Sequence, residues 1–117
     1  MKKGLHKTYF RKGELASAGN YLKGKRTGIW KFYLRNGALR ASGKFLNGKL
    51  AGPWKWYREN GKLLQSGSFK ENKQTGLWKR YHKNGSLYDV GHYLNGKKTG
   101  TWKIHDATGK RIRTKIY

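Results

Sequence analysis

The sequence predicts an all-β protein: a single-layer, twisted antiparallel meander of about five β-hairpin repeats, forming one domain over residues 1–117. Three observations predict it. A phrase of eleven residues recurs at a fixed spacing of 24. Each copy carries the marks of a hairpin: aromatic and β-branched residues on either side of an Asn-Gly. And no stretch bears an apolar stripe at i, i+3, i+4 and i+7 long enough to make a helix.

The phrase reads "TGIWKFYLRNG" at 27–37, "AGPWKWYRENG" at 51–61, "TGLWKRYHKNG" at 75–85 and, eroded, "TGTWKIHDATG" at 99–109. The frame opens at Gly4, Gly28, Gly52, Gly76 and Gly100, dividing the chain into repeats 4–27, 28–51, 52–75, 76–99 and a partial 100–117. Two places on stand Trp30, Trp54, Trp78 and Trp102, with His6 in the first slot; lysine always follows, as Lys7, Lys31, Lys55, Lys79 and Lys103. The half-repeat closes on Gly19, Gly43, Gly67 and Gly91, then on Tyr21, Phe45, Phe69, Tyr93 and Tyr117. Repeats of this length bury a face only on their neighbours, and end copies are atypical. Here the first copy lacks its tryptophan and the last its Asn-Gly.

The register follows from the turn. A two-residue turn at Asn36-Gly37 sets Leu34 against Leu39, Phe32 against Ala41, Trp30 against Gly43 and Gly28 against Phe45. Each indole then lies across the glycine opposite it, which fills a gap in a sheet. The alternative, a three-residue turn with a bulge at Gly37, flips the parity and sets Trp30 against Ser42. The first register puts Trp30, Phe32, Leu39 and Phe45 on one face, and Lys31, Tyr33, Arg35, Arg40, Ser42 and Lys44 on the other. With no helix to cover it, the aromatic face must curl on itself or pair with a second copy as a homodimer.

Composition narrows the function. The chain has 28 Lys and Arg against five acids, a formal charge of +23, well beyond the 2–8 that keeps a small domain dispersed. Such an excess points to a polyanion close by. No cysteine is present, which rules out disulfides and thiolate metal sites. The basic start "MKKGLHKTYF" is not followed by the apolar run of a signal peptide, so the expected address is cytoplasmic.

Catalysis is not expected. Glu14, Glu59, Glu71, Asp89 and Asp106 sit at different repeat phases, with no spacing that pairs carboxylates across a hairpin. Of His6, His82, His92 and His105, two merely replace an aromatic in a repeat column, and neither a metal nor another cofactor is expected. "GNYLKGK" at 19–25, "GKFLNGK" at 43–49 and "GHYLNGK" at 91–97 match the first part of a phosphate-binding loop. None continues with Ser or Thr or opens a helix, so each is expected to be a hairpin turn.

The lysine columns are the candidate site. Equivalent residues of adjacent repeats lie two strands apart, roughly 9–10 Å. A nucleic-acid strand rises about 3.4 Å per phosphate, so one repeat spans about three phosphates. Lys31, Lys55, Lys79 and Lys103 form the expected row, reinforced by Arg35, Arg40, Lys44 and Lys83, with Tyr33, Tyr57 and Tyr81 beside it for base stacking. A solvated lysine face is the plain alternative for any one column. It does not account for the basic turns (Lys25, Arg26, Lys97, Lys98) or the basic C-terminal segment "GKRIRTKIY".

From Gly4 to Tyr117, the pattern Gly-x-Trp-Lys-x-Tyr-x-x-Asn-Gly-x-Leu resembles the MORN-repeat proteins, especially the bacterial YwqK-like antitoxin branch with longer repeats. The resemblance implies stacked hairpins in a single twisted sheet and a scaffold or binding role with no catalytic residues to carry over. It leaves three partner classes: a nucleic acid or nucleoprotein assembly, an acidic protein that the module masks, and an anionic membrane surface. Charge spread over turns and terminus favours the first.

Overall fold

The computed structural model describes residues 5–117; Gly4, where the first repeat begins, lies outside them. Ten antiparallel strands form one open sheet in the order of the chain: β1 (Leu5–Tyr9), β2 (Leu15–Leu22), β3 (Lys25–Tyr33), β4 (Leu39–Leu46), β5 (Lys49–Tyr57), β6 (Leu63–Lys70), β7 (Lys73–Tyr81), β8 (Leu87–Leu94), β9 (Lys97–His105) and β10 (Arg111–Ile116). The molecule measures 50 × 31 × 16 Å, a slab one sheet thick. Among the described residues no helix is long and apolar enough to cross a membrane.

Two kinds of turn alternate along the two edges. Between repeats, Lys23-Gly24, Asn47-Gly48, Glu71-Asn72 and Asn95-Gly96 all have positive φ at both positions. Their flanking residues pair directly, as Leu46 with Lys49. These are two-residue type I′ turns, whose twist matches that of the strands. Three of them are the glycine-lysine segments that mimic a phosphate loop, and they lie between strands as expected.

Within repeats the turn differs from the expectation. Leu34 N–H donates to the Ala38 carbonyl at 2.8 Å and Gly37 N–H to the Leu34 carbonyl at 3.0 Å. Gly37 is left-handed (φ 89°) and Asn36 is not among the positive-φ residues, which excludes type I′. The loop is a three-residue turn with a glycine bulge, and the Asn36 carboxamide oxygen braces it by accepting from Ala38 N–H at 2.9 Å. This turn alone would flip the parity. A second bulge restores it: Phe32 pairs with Ala41 but Tyr33 with Leu39, leaving Arg40 as an extra residue. The register beyond is the expected one, with Trp30 opposite Gly43 and Gly28 opposite Phe45. Leu39 is the exception: paired with Tyr33, it leaves the aromatic set. In the last repeat Asp106 takes over the bracing, accepting from Thr108 N–H at 3.0 Å. The Thr108 hydroxyl, with the backbone N–H groups of Lys110 and Thr108, holds the Asp106 carboxyl below the usual carboxylate range.

Tryptophan packs differently from the expectation too. Trp54 pairs in register with Gly67, but its ring lies over Gly43 of the preceding strand, where an added Cβ would sit 1.9 Å from the indole. Trp30, Trp78 and Trp102 cover Gly19, Gly67 and Gly91 in the same way, with clashes near 2 Å. The cause is a bulge of two extra residues between repeats: Gly43 pairs with Trp54 and Lys44 with Ala51, skipping Gly52 and Pro53. The lifted backbone lets the indole fold back, where its N–H donates to the carbonyl after the glycine (Trp54 to Lys44 at 3.0 Å, Trp30 to Asn20 at 3.0 Å).

Rings brace each indole on all sides. Trp30, Phe32, Trp54, Trp56 and Trp78 form one ladder, with centroids 5.6–6.2 Å apart and planes inclined by 26–31°. Tyr21, Phe45, Phe69, Tyr93 and Tyr117 meet the tryptophans edge-on. The guanidinium of Arg26 covers Trp30 at 4.8 Å and the ammonium of Lys98 covers Trp102 at 4.7 Å. Trp30 is wholly buried, Trp54, Trp78 and Trp102 are 3–4% exposed, and Trp56 is half-buried. Within one open layer the indoles of Trp30, Trp54, Trp78 and Trp102 are therefore hidden from solvent. Burying a tryptophan removes about 150–250 Å² from water, on the order of 4–6 kcal/mol per ring before entropy is counted.

Candidate nucleic-acid interface

The expected lysine row exists as a continuous line across the sheet. Register pairs run Lys7–Ala18–Lys31–Ser42–Lys55–Ser66–Lys79–Val90–Lys103–Thr114, one residue from each strand. Cross-strand partners share a face, so five lysines stand in file, separated by small or medium-sized residues. At two strands per step, neighbouring Cα atoms lie roughly 9–10 Å apart. The lysines are exposed except Lys79, which is half-buried, and no acid interrupts the line. Lys7 belongs to the row although it was not in the expected set; its place in the same repeat column is the signal that identifies it.

Lys44 joins this face, paired with Ile29 on one side and Ala51 on the other. Tyr33, Tyr57 and Tyr81 also lie here, each paired with a leucine (Leu39, Leu63, Leu87) and half-buried against it. Part of each ring stays open to solvent.

Three of the expected reinforcing cations lie elsewhere. Arg40 is the bulged residue of β4 and lines a cleft with Ser17 and Phe32, on the aromatic side. Its repeat equivalent Tyr88 confirms that direction, lying under the Arg80 guanidinium at 5.0 Å. The second bulge turns this column over. Arg35 is in the three-residue turn, and its guanidinium sits over the Phe10 ring of the preceding repeat at 5.4 Å. Lys83 occupies the same place in the turn two repeats on, beside Arg58, Glu59 and Asn60. Arg35 and Lys83 thus lie along one edge of the sheet, not on the row.

Two features escaped the sequence. Leu5, Ile29 and Leu77 are 64%, 57% and 47% exposed. Each stands two residues before a row lysine and so shares its face. The aromatic face also carries positive charge, in Arg26 and Lys98 over the rings and in Arg80, whose guanidinium binds the buried Asp89 carboxylate at 2.6 and 3.0 Å. That hydrogen-bonded carboxylate raises the Arg80 pKa. Among the described residues it is the single ion pair.

Two of the histidines have partners for their rings. His6 meets Tyr21 edge-on at 5.0 Å, and His82 Nε2 lies 2.8 Å from the His105 carbonyl. Among the described residues, no three His, Asp or Glu side chains come together as a metal site would require.

Comparison with known proteins agrees with this architecture. The family model described as a MORN repeat variant matches residues 50–71 and 74–95, two successive central repeats of this chain. Repeats of this kind are generally binding modules. No curated protein matches the chain. Among solved structures, a crystal structure of TarM is similar over 83% of this chain at 14% identity and a TM-score of 0.50. The chain spans 19% of TarM's length, and the likeness is one of fold.

Proposed function

We propose that the protein is a non-enzymatic module that binds nucleic acid, free or within a nucleoprotein assembly in the cytoplasm, by laying its lysine row along the phosphate backbone. The observation that carries this reading is the unbroken file of Lys7, Lys31, Lys55, Lys79 and Lys103, uninterrupted by acids. Each step of the row spans about three phosphates, so the lysines sample a strand without reading its sequence. The partly open rings of Tyr33, Tyr57 and Tyr81 offer stacking to unpaired bases. Arg35, Arg40 and Lys83 contribute to the surrounding field and not to the row. Masking of an acidic protein, as in the antitoxin-like branch, would favour cations gathered on one face; here they occupy both faces and the edges.

One observation favours a second reading. Leu5, Ile29 and Leu77, exposed beside the lysines, suit an anionic lipid surface, where aliphatic side chains enter the headgroup layer and each lysine adds about 1 kcal/mol.

Fluorescence anisotropy with labelled single-stranded RNA, single-stranded DNA and duplex DNA at 50 and 200 mM salt separates the two. A protein that neutralises about six phosphates loses roughly 10³-fold in affinity across that range. Replacing Lys31, Lys55, Lys79 and Lys103 by alanine is expected to flatten the log–log salt slope by up to about 0.9 for each phosphate no longer neutralised. An unchanged slope removes the row from the site. Binding to phosphatidylserine vesicles with none to nucleic acid transfers the function to the second reading.

A further inference from the structure

The ring ladder of the aromatic face has a rung missing at its N-terminal end. The column that holds Phe32, Trp56, Arg80 and Ile104 begins with Thr8. Thr8 pairs with Ser17, whose hydroxyl it meets, and Ser17 pairs with Phe32. Where the later repeats place a ring, a guanidinium or a branched chain, this one leaves a cleft of about 420 Å³. Phe10 and Phe32 line it with Thr8 and Ser17, and Arg35 and Arg40 lie at its rim. At the other end of the ladder the same column is filled by Arg80, which Asp89 binds. Among the described residues neither Arg35 nor Arg40 has a carboxylate partner.

We infer that this cleft is a binding site for a planar aromatic anion of the nucleoside monophosphate class. The volume falls in the range of ligand pockets, about 300–1,000 Å³. A base fills the vacant rung beside Phe32, the hydrogen-bonded Thr8 and Ser17 hydroxyls offer acceptor sites to its polar edge, and the guanidiniums of Arg40 and of Arg35, the latter stacked on Phe10, take the phosphate in the forked geometry arginine favours. Arg40 is where the second bulge puts it; on a regular strand it would point to the opposite face. No lysine of the row lines the site, although Tyr33 borders it. The same chemistry comes from a free mononucleotide or from the phosphorylated 5′ end of a strand.

Isothermal titration of the whole chain with adenosine 5′-monophosphate is expected to give saturable one-to-one binding. Adenosine, without the phosphate, is expected to bind at least tenfold more weakly. Thr8→Phe, which supplies the missing ring, is expected to abolish binding while holding or raising Tm. Arg40→Glu is expected to weaken it tenfold or more, and gives the same readout should Thr8→Phe fail to fold. Alanine at Lys31, Lys55, Lys79 and Lys103 is expected to change the affinity less than threefold. A 5′-phosphorylated trinucleotide that outcompetes its 5′-hydroxyl form assigns the source to strand ends; equal competition assigns it to free nucleotide. No binding at millimolar concentration overturns the proposal, as does binding that survives both Thr8→Phe and Arg40→Glu.

Discussion

The two faces of this sheet are written by the same 24-residue period, yet they answer to different physics. On the aromatic face every repeated residue has a steric reason. Gly43 repeats because Trp54 occupies the volume of its absent Cβ, and Trp54 repeats because Phe45, Phe69, Phe32 and Trp56 close around its ring. On the lysine face no neighbour demands a lysine: Lys31, Lys55 and Lys103 project into solvent between Ala18, Ser42, Ser66 and Val90. Periodicity in a repeat protein is thus not one signal but two. One column recurs because the fold fails without it, and the other recurs without any structural need.

The largest effect expected on this comparison comes from the indole. Trp54→Ala is expected to lower unfolding free energy by about 3–5 kcal/mol, as for other large-to-small core changes. Gly43→Ala is expected to cost about 1–3 kcal/mol or more, because the ring it strikes is held on every side. Chemical denaturation of the single and double variants decides which glycine the ring covers. Gly43→Ala and Trp54→Ala are expected to couple by at least about 1 kcal/mol, since the clash vanishes with the ring. Gly67→Ala, at the register partner, still meets Trp78 and is expected to cost about the same with or without Trp54. Coupling to Gly67 instead of Gly43 would reverse the packing described here.

A middle-sized effect tests the one place where charge enters the aromatic face as an ion pair. Arg80→Phe leaves the Asp89 carboxylate, 4% exposed, without its cation. Breaking a buried pair costs about 3–5 kcal/mol; with half of the arginine in solvent, about 2 kcal/mol is the expected loss. Adding Asp89→Ala copies the Phe32–Ala41 pair of the second repeat and is expected to restore the wild-type Tm. A double variant no more stable than Arg80→Phe would show that the ladder cannot be extended there.

Much of this was legible in the sequence. The period, the ten strands, the register of Trp30 with Gly43 and the lysine row all follow from columns of identical residues. The turn did not, because Asn-Gly serves both a type I′ turn and a glycine-bulged turn; each needs a left-handed glycine. The chain uses both, with Asn47-Gly48 as the first and Asn36-Gly37 as the second. The register survived because the bulge at Arg40 cancels the parity change of the turn. Arg40 itself could not be placed, since a residue inside a bulge belongs to neither alternation. The direction of the indole was hidden for a related reason: pairing names the residue opposite, and the two-residue bulge sends the ring to the strand behind.

The smallest expected effect is the sharpest check on the comparison. If no packing requires the lysines, replacing Lys31, Lys55, Lys79 and Lys103 by alanine together is expected to shift unfolding free energy by no more than about 0.5 kcal/mol per site. The sign is expected to be favourable at low salt, because the change removes four positive charges from a chain of +23 whose repulsion opposes folding. The gain is expected to fade as salt screens the remaining charge, with a Debye length of about 10 Å at 0.1 M. Thermal melts of the wild type and the variant at 10 and 300 mM salt read both effects. A variant that melts well below the wild type at both concentrations would mean that the lysine stems pack on the sheet, and the two faces would then differ in degree only. A variant as stable as the wild type leaves the recurrence of lysine to be explained by what the face meets, and the salt slope of nucleic-acid binding is then the measurement that identifies it.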